Sequence, residues 1–335
     1  MTISLTLLIV LIGIALAFDF LNGLHDAANS IATIVATRVL QPHWAVLFAA
    51  FFNFAAIGIF GLHVAETVGK GIIDAAIIDP AVIFAALMGA IVWNVVTWLS
   101  GIPSSSSHAL IGGLLGAGVT KAGPAAIVWS GVTKTVVAIA LSPTIGLLLA
   151  LLLVVIVAWT SLRLTPLGVD KRYRRLQLIS AAAYSLGHGA NDAQKTMGII
   201  AVLLYSQGRL GATFYVPWWV ILSCYGAIAA GTMSGGWRIV KTMGSKITRL
   251  TPAQGFCAEG GAAMMLYLAT WLGIPVSSTH TITGAIVGVG ASRRLSAVRW
   301  NVASNIVVAW VVTLPAAGLI AAATYWLVNA VGWTG

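Results

Sequence analysis

Long apolar runs dominate the chain. They lie at about 2–21, 44–62, 81–99, 124–140, 144–162, 177–204, 214–232, 256–272 and 301–328, with short Gly- and Ser-rich segments between several of them. A helix of about 20 apolar residues crosses the hydrocarbon core of a bilayer. Backbone in that core must satisfy its own hydrogen bonds, and the evenly spaced alternating strands of a membrane barrel are missing from the pattern. The pattern predicts an all-α polytopic membrane protein of about 10–12 transmembrane segments, two of them broken or re-entrant helical hairpins at Pro103 and Pro275. The stretch from Met1 to Phe18 lacks a basic leading region, so it reads as a first membrane helix retained in the mature chain rather than a cleaved signal.

Composition removes the alternatives. Of 335 residues, 59% are hydrophobic and only 8% charged, with a mean hydropathy of +0.97, whereas soluble domains carry about 25% charged residues. No sizeable water-soluble domain fits. The net charge of +10 comes from 18 Lys and Arg against 8 acids and forms no single basic patch, which argues against a nucleic-acid partner. The lipid bilayer is the expected surrounding. Arg163, Lys171, Arg172, Arg174 and Arg175 face Asp170 alone in the 163–175 loop, which the positive-inside rule places in the cytoplasm. Glu66, Asp74 and Asp79 gather in a 62–80 loop expected on the other side. Cys224 and Cys257 have no ligand-type spacing and read as small core residues.

An internal repeat organises the rest. GIPSSSSHALIGGLLGAG from Gly101 and GIPVSSTHTITGAIVGVG from Gly273 share nine of eighteen positions at an offset of 172. GLHDAANS from Gly23 and GANDAQKT from Gly189 match at an offset of 166. The chain therefore reads as a first membrane repeat over 1–162, a basic linker over 163–176 and a second repeat over 177–335. With an odd number of crossings per half, the second repeat is inverted, an architecture of secondary transporters whose sites lie near the midplane.

Half of the eight acids, Asp19, Asp26, Asp192 and Glu259, fall in membrane segments, where an unpaired charge costs several kcal/mol. Asp26 with Asn29, and Asp192 with Lys195, stand three residues apart and share a helix face. A carboxylate beside an amide oxygen suits Na⁺ or a proton; Lys195 places an ammonium where the other half would hold a bound cation. The hydroxyls Ser104 to Ser107 and Ser277 to Thr279 follow helix-breaking prolines, so they begin new helices. A helix N-terminus offers free N–H groups and partial positive charge, which together with hydroxyls can replace the hydration shell of an oxyanion. Carboxylates beside an anion site favour an anion that carries a proton, as phosphate does and sulfate does not. A sulfate permease of the same architecture is the alternative, and an intervening cation would serve it. Four of the six histidines, His25, His108, His188 and His280, also fall in the repeated motifs. Catalytic residues are not expected, because nucleophile and acid roles are unequal whereas these residues are duplicated symmetrically. No resident metal is expected either, since no Cys/His/carboxylate group has the spacing of a structural site.

At these motifs the chain resembles the inorganic phosphate transporter family of the PiT or Pho-4 type, in its bacterial branch. GLHDAANSIATIVATR from Gly23, GHGANDAQKTMG from Gly187 and the two Pro-x-Ser-Ser/Thr-His segments carry the resemblance, which spans nearly the whole chain. It implies a symporter that imports inorganic phosphate, free or as a metal-phosphate, together with H⁺ or Na⁺ by alternating access, with no cofactor. It implies cation and phosphate roles for Asp26, Asn29, Asn191 and Asp192. Phosphate contacts are implied for Ser105, Ser106, Ser107, Ser277, Ser278 and Thr279, with Gln194 as a further donor beside Asp192. Glu259 matches a membrane-embedded glutamate of the family, and Asn53 is read as its first-half counterpart. The chain departs from the family motif at His25 and Lys195, each standing where the motif has Asn. The resemblance also implies a homodimer in a bacterial inner membrane.

Overall fold

The computed structural model describes residues 3–333. Among these residues it contains twelve α-helices and no strand, the class expected from the apolar runs. The first six are α1 (Leu5–Ala36), α2 (Pro42–Ala55), α3 (His63–Lys70), α4 (Pro80–Ser100), α5 (Ser106–Ala122) and α6 (Trp129–Ser161). The second six are α7 (Pro166–Ser206), α8 (Trp218–Ser234), α9 (Trp237–Lys241), α10 (Pro252–Trp271), α11 (Ser278–Ala291) and α12 (Trp300–Ala330). Four helices, α1, α4, α6 and α12, are both long and apolar enough to cross a membrane. Of the others, α7 and α10 are long but carry polar and basic residues that lower their hydropathy, whereas α2, α3, α5, α8, α9 and α11 are shorter.

Two sequence boundaries differ from the structure. The runs at 124–140 and 144–162 form one helix, α6, with Pro143 inside it; Pro315 sits at the equivalent point of α12. A proline removes one intrahelical bond and bends a helix without always ending it. The basic residues from Lys171 to Arg175 are the opening turns of α7, not an irregular linker, because Pro166 at its start and the Thr165 cap begin the helix there. The first residues of the 2–21 run lie partly outside the described residues.

Sequence repetition becomes spatial exchange. α4 and α10 both carry Thr-Trp-Leu at their ends, and a left-handed glycine follows, Gly101 at φ 65° after Ser100 and Gly273 at φ 67° directly, a backbone state that only glycine adopts without strain. A short extended stretch follows, and Ser105 or Ser277 caps the next helix by accepting from the N–H of His108 or His280, each at 3.2 Å. α5 then packs on α12 of the other half, and α11 on α6. A Cβ at Gly112 would lie 2.3 Å from Leu314 O, and one at Gly284 would lie 2.1 Å from Pro143 O. Both crossings therefore demand glycine, and at equivalent places.

α1 and α7 hold the repeated aspartate motifs and run antiparallel. Asp19 near the start of the polar stripe on α1 bonds Thr196 late in α7, whereas Thr37 at the end of α1 bonds Gln177 early in α7. Equivalent helices pointing in opposite directions are the inverted-repeat relation.

Candidate functional site

Along α1 the residues Asp19, Asn22, Asp26, Asn29 and Thr33 recur every three or four positions and form one buried polar stripe facing the interior. Polar groups in a bilayer core persist only where partners satisfy them, and here the N-termini of α5 and α11 converge on the middle of the stripe. Asp26 Oδ2 accepts from Ser106 Oγ at 2.7 Å, and Asp192 Oδ2 accepts from Ser278 Oγ at 2.9 Å. These serines occupy matching positions of the two hairpins. Each aspartate is thus bonded to the hairpin of its own half.

The residue three positions later reaches across. Asn29 Nδ2 donates to Thr279 Oγ1 of the second hairpin at 2.9 Å, while Lys195 Nζ donates to Ser107 Oγ of the first, and Ser107 is the counterpart of Thr279. The two halves are stitched by symmetric bonds built from unlike residues. Lys195 Nζ also donates to Asp192 Oδ1 and, at 2.8 Å, to Val276 O, which uses all three of its hydrogens. Thr279 Oγ1 completes the crossing by donating to Asp26 Oδ1 at 3.3 Å.

A chain of bonds fixes the tautomer of His188. Thr232 Oγ1 donates to Ile228 O, so it accepts from Asn53 Nδ2 at 2.9 Å, which turns Asn53 Oδ1 toward His188 Nδ1 at 3.1 Å. Nδ1 therefore carries a hydrogen, and Nε2, which makes no hydrogen bond of its own among the described residues, lies 3.2 Å from Asp192 Oδ2. Asp26, His188 and Asp192 offer ligand atoms that all lie within 4.8 Å of one another, close enough to share one proton or one cation. His25 does related work on Asp26, with Nδ1 3.0 Å from its Oδ1 and Nε2 3.1 Å from Thr97 Oγ1. Asn191, the matching residue, donates to Thr270 Oγ1 at 3.0 Å. Thr97 and Thr270 are the threonines of the shared Thr-Trp-Leu, so His25 and Asn191 tie each motif to the helix before the break.

Glu259 forms a separate station further along α1. Its Oε1 accepts from Thr33 Oγ1 at 2.5 Å and from Gln177 Nε2 at 3.0 Å, and its Oε2 accepts from Ser180 Oγ at 2.5 Å. Thr33 lies two turns beyond Asp26, about 10 Å at helical rise. Asn53 is not its counterpart. Glu259 lies on α10, which matches α4; at the same distance before Thr-Trp-Leu, α4 carries Ala86, and Asn53 instead lies on α2 orienting His188.

The structure gathers Asp26, Asn29, Asp192, Lys195, Ser106, Ser107, Ser278 and Thr279 in one cluster. It moves others to supporting places. Gln194 does not face the cluster: its Oε1 accepts from the N–H of Val64 at 3.1 Å and its Nε2 donates to Gly61 O at 2.9 Å, so both ends hold the start of α3. Side chains at successive helical positions point about 100° apart, so Gln194, two positions after Asp192, leaves the helix on nearly the opposite face. Asn191 serves the break before α11, and Ser105 and Ser277 spend their lone pairs on caps. Sequence reasoning missed Asn22, Ser180 and Gln177, although Asn22 stands at the position matching His188 and is visible in the offset of 166.

Comparison with known proteins leads in the same direction. The model of the phosphate transporter family matches residues 22–321. The chain is 68% identical to a protein of Rhizobium meliloti (strain 1021) named "Probable low-affinity inorganic phosphate transporter", over 98% of this chain and 99% of that one. It is 42% identical to a protein of the same name in Bacillus subtilis (strain 168), covering 98% and 99% of the two chains. Among solved structures it resembles "The sodium-dependent phosphate transporter", with a TM-score of 0.89 at 26% identity over 98% of this chain and 100% of that one. These matches are to transporters, not enzymes, and lend the sulfate alternative no support. A multi-pass helical membrane protein with duplicated aspartate motifs and facing hydroxyl-bearing helix ends, the chain belongs to the phosphate transporter family.

Proposed function

We propose that this protein is a secondary active symporter that imports inorganic phosphate, free or as a metal complex, together with H⁺. The halves 1–162 and 177–335 rock against each other about the central cluster, exposing it alternately to the two sides. In this reading the phosphate oxygens sit at the N-termini of α5 and α11. They accept from Ser106, Ser107, Ser278, Thr279 and the free N–H groups of those first turns, with Asn191 and the cap hydroxyls Ser105 and Ser277 as the surrounding shell. No covalent step and no cofactor is involved.

The observation that carries the coupling is a charge count. Asp26 and Asp192 supply two negative charges within one buried cluster, and phosphate adds at least one more, whereas Lys195 supplies a single fixed positive charge. A low-dielectric site tolerates little net charge, so a mobile cation must accompany the anion. His188 Nε2, without a hydrogen-bond partner among the described residues and 3.2 Å from Asp192 Oδ2, offers a place for a proton. Lys195 acts as a tethered cation in the second half, where the first half has Asn29, and Glu259 is a further cation or proton station. Sodium coupling is the second reading, favoured by the name of the structural neighbour.

The basic start of α7 faces the cytoplasm of a bacterial cell, and the protein works as a homodimer in the inner membrane, which the molar mass of the detergent-solubilised particle by light scattering checks. Phosphate uptake into proteoliposomes under an imposed H⁺ or Na⁺ gradient, with and without Mg²⁺, tests the coupling. Accumulation driven by H⁺ in Na⁺-free buffer is expected from the natural chain, and a Na⁺ requirement from Lys195→Asn. Strict Na⁺ dependence of the natural chain overturns the proton reading.

A further inference from the structure

Asp19 is the one embedded acid that the arrangement above leaves unused. It is fully buried on α1, two turns before Asp26, about 10 Å away along the helix. Its Oδ1 accepts one hydrogen bond, from Thr196 Oγ1 at 2.9 Å, and its Oδ2 has no hydrogen-bond partner among the described residues. The other three embedded acids are far better provided: Asp192 has an ammonium and a hydroxyl, Asp26 has an imidazole and two hydroxyls, and Glu259 has two hydroxyls and an amide.

The groups close enough to act on Asp19 electrostatically are Asp192 and Lys195 on α7 and Cys224 and Tyr225 on α8. Lys195 is the only cation of the four, and its three hydrogens are already given to Asp192, Ser107 and Val276 O. An ionised carboxylate held by a single hydroxyl in such surroundings is costly unless a cation joins it. A metal cation would call for several oxygen ligands, whereas a proton needs one free carboxylate oxygen. The position has no acid in the second half: Ser185 matches Asp19 and Ser30 matches Thr196, and both hydroxyls lack partners among the described residues.

We propose that Asp19 is a proton-binding site of the transport cycle, loading one proton on Oδ2 when the site opens outward and releasing it when the site opens inward. This rests on the proton-coupled reading above. The step is one O–H bond formed from an aqueous proton on the outer side and the same bond broken to water on the inner side, with Asp19 ionised only between release and reloading. Asn22, between Asp19 and Asp26 on α1, accepts from Ser106 Oγ at 2.5 Å and so joins this end of the stripe to the central cluster.

The test uses purified full-length protein in Na⁺-free proteoliposomes. A pH difference of one unit supports about tenfold accumulation for each proton carried. The natural chain is expected to reach that ratio and to acidify the lumen as phosphate enters. Asp19→Asn is expected to lose the accumulation while phosphate exchange across the membrane at equal pH persists, and Asp19→Glu to recover it. Failure of the natural chain to respond to a pH gradient overturns the proton-coupled reading and this inference with it. A response in Asp19→Asn equal to that of the natural chain overturns the inference alone. Should Asp19→Asn be inactive in exchange as well, infrared spectroscopy decides: the carbonyl band of a protonated carboxylic acid, present in the natural chain and missing from the variant, supports the assignment, and the same band in both overturns it.

Discussion

The two halves of the central cluster use the same scaffold and different chemistry. In the first half Asp26 has Asn29 three residues on; in the second Asp192 has Lys195, and the amide and the ammonium reach corresponding hydroxyls, Thr279 and Ser107, across the interface. A backbone duplicated and inverted keeps its geometry where glycines and caps dictate it, while a side chain at one aligned position is free to differ, an amide in one half and an ammonium in the other. The difference teaches that symmetry of fold does not oblige symmetry of charge. Asp192 has an ammonium of its own motif beside it, whereas Asp26 has an amide at the same spacing.

The strongest way to break this comparison is Asp192→Asn. It leaves the Lys195 ammonium buried with only neutral partners, and removal of one member of a buried ion pair costs about 3–5 kcal/mol. Uptake is expected to vanish and the thermal midpoint of the solubilised protein to fall. The double variant Asp192→Asn with Lys195→Asn removes both charges and is expected to regain most of the midpoint while staying inactive. A double variant as unstable as the single one would show that the ion pair is not what links these helices.

Smaller and more symmetric effects are expected at the hairpins. Ser106→Ala removes the hydroxyl from Asp26, and Ser278→Ala removes it from Asp192. Each loses a hydrogen bond to a charged group, about 1.5–3 kcal/mol. If both also contact phosphate, the apparent KM rises in each by about tenfold or more. Asp192 retains Lys195, so Ser278→Ala is expected to affect coupling less than Ser106→Ala. Phosphate uptake against concentration, run at two external pH values, separates the two.

Much of this arrangement is legible in the sequence. Paired motifs at fixed offsets identify the aspartates, the crossing pair Asn29 and Lys195, and the hydroxyl-bearing helix starts, because repetition marks positions that a shared backbone must supply. What escapes is set by direction rather than identity. The side chain of Gln194 leaves α7 on a different face from Asp192, and proximity in sequence says nothing about that unless the helical period is applied to each residue. Pairing Asn53 with Glu259 fails because the two lie on non-equivalent helices, α2 and α10; only the positions of the breaks relative to Thr-Trp-Leu reveal the correct pairing. Pro143 suggests two spans where α6 runs through, since a proline's effect depends on whether neighbouring helices support the bend.

Gln194 supplies the mildest and most discriminating test of which residues belong to the cluster. Its amide holds the N–H of Val64 and the carbonyl of Gly61, so Gln194→Ala strands the buried N–H of Val64 and releases the part-buried carbonyl of Gly61 at the start of α3. That costs about 1–3 kcal/mol and is expected to lower the thermal midpoint by a few degrees while leaving the phosphate KM within about twofold, since such a factor corresponds to less than about 0.5 kcal/mol of lost binding. A phosphate contact would give the reverse, a raised KM with an unchanged midpoint. The two outcomes differ because a hydrogen bond inside the resting protein is lost from the free energy of folding, whereas one made only to the substrate is lost from binding. Comparing this variant with Ser278→Ala by both measurements therefore separates residues that build the second half's cluster from residues that meet the cargo within it.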